Sequence, residues 1–154
     1  MITKQKETWY VARRGELLAE QFLIELKPDY VTPMRGGADL GFDYVAFFTK
    51  PDKSPIAIAV VVKITESPIN GRYPFPVSQL RQLRGGTLPV LVLVIDVKHN
   101  EMYFNWADQA VSPDQADALN KRVSCTATLR PSTPEEQEKL RHEILEQKAW
   151  MPFS

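Results

Sequence analysis

Between about residues 9 and 26, Val11, Leu18, Phe22 and Leu26 recur at helical spacing among charged neighbours, and Leu17 and Leu23 widen the stripe. Apolar positions at these intervals fall on one side of a helix, so an amphipathic helix is expected there. Pro28 and Asp29 stop it, and Tyr30-Val31-Thr32 can begin a first strand before Pro33 interrupts. Arg35-Gly36-Gly37-Ala38 reads as a turn, residues 42–48 as an aromatic and β-branched strand, and residues 49–55 as a hairpin-like connection. The run 56–64 is apolar almost throughout until Lys63, the pattern of a strand covered on both faces at a sheet centre.

Pro68, Gly71, Pro74 and Pro76 predict a loop over 65–76, followed by a short helix over 77–84 that Gly85-Gly86 would cap. Residues 89–97 form the most hydrophobic stretch, Lys98-His99-Asn100-Glu101 reads as a turn, and 102–106 as the returning strand of a hairpin. Farther on, Ser112-Pro113-Asp114-Gln115 suits a helix start and residues 123–129 a short strand. Thr133-Pro134-Glu135-Glu136 combines a capping hydroxyl, a proline at the first helical position and an acid placed to close a capping box. A C-terminal helix is expected from there to about residue 149.

At 154 residues the pattern fits one α/β domain, with a core over about 9–110 and a C-terminal helical extension over about 111–154. The 44% hydrophobic and 25% charged content is that of a globular chain. Cys125 is the single cysteine, which excludes an intramolecular disulfide, and no Cys/His spacing suits structural zinc. No apolar run approaches the ~20 residues of a membrane helix, and the first residues lack a signal-peptide pattern, so no membrane partner and a cytoplasmic location are expected. Net charge is zero, which removes the simplest electrostatic case for phosphate binding. Residues 1–86 hold twelve Lys/Arg against nine Asp/Glu and residues 87–154 seven against ten, an asymmetry that solvated surface charge explains.

Four polar residues stand at telling places: Glu20 on the first helix, Asp39 and Asp43 at a strand start, and Lys63 deep in an apolar strand. A lysine there must reach solvent along its stem or find an acidic partner. Arg14-Gly15-Glu16-Leu17-Leu18-Ala19-Glu20, Gly37-Ala38-Asp39-Leu40-Gly41-Phe42-Asp43-Tyr44-Val45, Val60-Val61-Val62-Lys63-Ile64-Thr65 and the run 88–97 resemble successive blocks of the domain-of-unknown-function 4365 family, within the PD-(D/E)XK nuclease-like superfamily. Met102-Tyr103-Phe104-Asn105-Trp106 resembles its aromatic block, and the likeness spans about residues 9–110.

The resemblance implies a restriction-endonuclease-like three-layer core, a central mixed β-sheet flanked by helices. It also implies a metal-dependent nuclease acting on DNA in preference to RNA, with magnesium as cofactor. Carried over by position, Asp43 is the metal-binding acid, Lys63 the lysine that orients the attacking water, Glu20 the supporting acid, and the Val62 carbonyl a further metal ligand. Hard cations want such oxygen ligands, and a bound metal activates water and clamps the phosphate. The sequence departs from the pattern at Val61, where the superfamily has an acid and valine has no side-chain oxygen; Glu20, Asp39 or Glu66 are the acids that could substitute.

The alternative is a catalytically inactive pseudonuclease, a nucleic-acid-binding or protein-assembly module in bacterial defence or DNA processing. A third reading is a homodimer built on the apolar strands with Trp150 and Phe153. Arg81 and Arg84 beside Gly85-Gly86 fit a capped helix as well as a phosphate site. Trp9, Tyr10 and Trp106 fit packing better than base stacking. His99 and His142 stand isolated and suit neither a general base nor a ligand.

Overall fold

The computed structural model describes residues 2–34, 42–76, 88–110 and 124–146. Its elements are helix α1 (Ile2–Glu25), strands β1 (Tyr30–Pro33), β2 (Tyr44–Thr49), β3 (Pro55–Thr65), β4 (Arg72–Pro76), β5 (Val90–Asp96), β6 (Glu101–Trp106), β7 (Ser124–Thr128) and β8 (Arg130–Pro131), and helix α2 (Pro134–Leu145). Six strands form one mixed sheet in the order β1-β2-β3-β5-β6-β8, and β4 pairs with β7 in a second, two-stranded sheet. Among the described residues only β3 and β5 run parallel, and every other pair is antiparallel. The expected α/β class, mixed central sheet and three-layer core are therefore present.

Strand alternation sorts the core into two clusters. Ile58 and Val60 of β3, Leu91, Leu93 and Ile95 of β5, and Phe104 of β6 pack with Phe22, Leu23 and Leu26 of α1 and with Leu140 and Ile144 of α2. The intervening positions, Ala59, Val61, Val90, Val92 and Val94, pack on the opposite face with Phe75 of β4, Ala127 of β7 and Leu129. Among the described residues both helices thus cover one face and the small sheet covers the other. All seven residues of β5 are buried, which is why that stretch is apolar without alternation.

Several local expectations change. Within the predicted loop 65–76, residues 72–76 form β4. The Asn70-Gly71 turn, with φ of 51° and 78°, turns the chain into it. Its prolines are tolerated because each strand of a two-stranded sheet keeps one edge outside the ladder. Leu17 is 50% exposed rather than part of the buried stripe, and Ile24 is 71% exposed.

At α2 the Thr133 hydroxyl accepts from the Glu136 N–H as expected. The Glu136 carboxylate does not close the box: it pairs with Arg130, while the Thr133 N–H donates to the Pro131 carbonyl. Arg130 also binds Glu143, which accepts from the Trp106 indole, so β8, β6 and α2 are joined by one polar network. Its guanidinium carbon lies 4.8 Å from the Phe104 ring centroid. The expected helix over 77–84 and its glycine cap, the helix start at 112–115, Asp39, Trp150 and Phe153 lie outside the described residues.

Candidate functional site

Asp43 sits just before β2, where three strands are stitched through one residue. Its N–H donates to the Val60 carbonyl at 2.8 Å and its own carbonyl accepts from the Met34 N–H at 2.9 Å. Tyr44 is the residue paired in register with Val60, so Asp43 and Tyr44 both oppose a single β3 residue, as in a β-bulge. A bulge breaks alternation and re-aims the side chain. The Asp43 carboxylate accordingly turns along the sheet, and its Oδ2 accepts the Val62 N–H at 2.7 Å. It occupies the ladder position that β2 leaves when it ends.

This corner opens into a cavity of about 770 Å³ between α1 and the ends of β1, β2 and β3. Glu16, Glu20 and Asp43 line it with the phenol of Tyr44. Glu16 and Glu20 are one helical turn apart, which places both acids on the same side of α1. Leu23, Ile24, Val31, Val62 and Ile64 supply hydrocarbon walls. Close approach of helix to sheet depends on Gly15, where an added Cβ would lie 2.2 Å from the Ile64 Cδ1 and 2.6 Å from its Cγ1.

Among the described residues, the charged side chains that line the cavity are all carboxylates. Arg13 is bound at 3.0 Å to Glu16, so it offsets one carboxylate. Glu20 has no hydrogen bond or ion pair with any described residue. Tyr44 is 9% exposed, and its hydroxyl likewise has no hydrogen-bond partner among the described residues. Burial pushes the Tyr44 phenol above its ordinary pKa, and the Glu20, Glu16 and Asp43 carboxylates push it further, with Arg13 opposing.

The structure therefore brings Glu20, Asp43 and Val62 to one cavity and leaves Lys63 apart. Lys63 is half-buried, does not line the cavity, and follows Val62 in β3, so its Cβ leaves the sheet with those of Val61 and Ala59. Val61 is 1% exposed among the hydrocarbon of the second cluster. Glu66 is exposed beyond the end of β3 and lines no part of the cavity. No three His, Cys, Asp or Glu side chains among the described residues converge to hold an ion. No helix among them is long and apolar enough to cross a membrane.

Two features escaped the sequence reading. Glu16 and Tyr44 belong to the cavity; the i, i+4 spacing of Glu16 and Glu20 was the available signal for the first, and nothing local marked the second. His99 is not isolated: its Nδ1 lies 2.6 Å from Oδ2 of Asp96, a residue with no exposed surface. Asp96 Oδ1 also accepts the N–H groups of Lys98 and His99, so this carboxylate organises the β5–β6 turn. His142 stands on α2 within 4.0 Å of both Glu138 and Glu146 and well exposed. Comparison of the chain with protein-family models, curated proteins and solved structures gives no match.

Proposed function

We propose that this chain is a nuclease-like domain of PD-(D/E)XK type that no longer hydrolyses phosphodiesters and serves as a binding and assembly module with a protein partner. The observation that carries the reading is the division of β3. Val62 faces the cavity with Glu20 and Asp43, whereas Val61 and Lys63 leave the strand on the other side. Hydrolysis of the superfamily type needs a second acid and the lysine beside the first acid. The cavity instead gathers carboxylates and hydrocarbon, and among the described residues no lysine or arginine lines it. That lining repels the phosphates of DNA or RNA, which favours a protein partner over nucleic acid.

The test is a cleavage assay on single- and double-stranded DNA and on RNA with magnesium or manganese, paired with calorimetry of either ion on wild type and Asp43→Ala. The expected result is no cleavage and no heat that depends on Asp43. Magnesium-dependent cleavage lost in Lys63→Ala would overturn the proposal in favour of a metal-dependent nuclease. Light scattering of the purified chain tests separately whether the partner is a second copy.

A further inference from the structure

We propose that the cavity between α1 and the β2–β3 corner is a binding site for an aliphatic organic cation, an alkylammonium group with its methylene chain. The inference deepens the reading of the chain as a binding module and rests on it. Three acids alone, Glu16 and Glu20 on α1 and Asp43 before β2, would be an ordinary solvated surface. The additional observation is Tyr44, a side chain more than nine-tenths buried that lines the cavity with no described residue bonded to its hydroxyl. Its oxygen is not sealed from solvent, so a donor can reach it where Tyr44 lines the cavity. With no partner among the described residues, the hydroxyl oxygen is left to accept a donor that a ligand in the cavity would bring.

The chemistry of the walls selects the ligand class. Glu20 brings a carboxylate with no ion-pair partner among the described residues, and Asp43 uses Oδ2 on the Val62 N–H while its other oxygen remains for a second donor. These acids and the phenol oxygen can accept the N–H groups of an ammonium. Leu23, Ile24, Val31, Val62 and Ile64 cannot replace the water around a small divalent ion, but they can cover methylenes. The volume, about 770 Å³, lies within the ~300–1,000 Å³ of small-molecule sites. An anion is disfavoured by the same carboxylates. Such a cation can come from a free polyamine or from a lysine side chain presented by a partner.

Titration of the full chain labelled with ¹³C and ¹⁵N, followed by nuclear magnetic resonance, separates these cases. The probes are 1,5-diaminopentane, Nα-acetyl-lysine methylamide and, as a neutral chain of equal length, 1-pentanol. The expected result is saturable movement of the Val62 amide and the Tyr44 ring with at least one cation and none with pentanol. Glu20→Gln, an exposed position where folding should be unaffected, is expected to weaken that binding by roughly tenfold, the equivalent of about 1.4 kcal/mol. Tyr44→Phe, which removes only the hydroxyl, should weaken it by a smaller factor.

Tighter binding of the lysine derivative assigns the site to a basic polypeptide, and tighter binding of the diamine to a free polyamine. Equal response to pentanol, or cation binding unchanged in Glu20→Gln, overturns the proposal. So does the absence of movement at Val62 and Tyr44. Because cleavage is assayed independently, loss of the cation site leaves the non-hydrolytic reading standing, whereas observed cleavage removes that reading whatever the titration gives.

Discussion

Asp43, at the entrance to β2, and Asp96, at the exit of β5, both turn a carboxylate back onto backbone N–H groups where a strand runs out of partners. Asp43 takes one such bond, from Val62, and stays exposed at the lip of a cavity. Asp96 takes two, from Lys98 and His99, adds the His99 ring, and has no exposed surface. The same local device therefore closes one corner of the sheet and leaves the other exposed at a cavity. What separates them is how many donors the fold supplies: a carboxylate whose oxygens are filled is structural, and one with an oxygen to spare can take part in recognition.

Replacing Asp96 should have the largest effect. Asp96→Ala strands two backbone N–H groups and the His99 ring, and about 2–4 kcal/mol of stability is expected to go, read from the denaturant midpoint. A loss below that of Asp43→Ala would break the contrast. Gly15→Val comes next, because its side chain would meet Ile64 and push α1 off β3. About 1–3 kcal/mol is expected from such overpacking, together with changed chemical shifts for Tyr44 and Val62.

Asp43→Ala should cost only about 1 kcal/mol in denaturant unfolding, one partly exposed hydrogen bond, while removing a cavity acid. If it cost as much as Asp96→Ala, the cavity corner would be structural too.

The finest discrimination is with pH. Burial alone would raise the Asp96 pKa, but hydrogen bonds from the His99 ring and from the His99 and Lys98 N–H groups, with the His99 charge, hold it below the ordinary value. A depressed folded pKa contributes stability above the unfolded value and loses it as pH falls through the folded one. Wild type should thus lose stability on acidification below about pH 4, the ordinary aspartate range. Asp96→Asn should lose less over the same interval, measured as denaturant midpoint against pH. Glu136 keeps part of the dependence in both proteins, because its bond to Arg130 outweighs burial and holds its pKa down as well.

The sequence by itself determined the order of helix, strands and hairpin, the central place of β3 and β5, and the helix start at Thr133-Pro134. Each of these is written in short-range spacing: a helical stripe, an apolar run, a cap. It also singled out Asp43, Glu20 and Lys63 as candidate site residues. Only the tertiary structure decided which of them meet. A bulge opposite Val60 turns Asp43 onto the Val62 N–H at the cavity that Glu20 also lines, and the two-residue period of β3 sends Lys63 away, relations that depend on register between strands rather than on neighbours in the chain. β4 was hidden by its prolines because its partner, β7, lies some fifty residues later. The burial of Asp96 was hidden for the same reason: it depends on packing from elements distant in sequence, which no local pattern records.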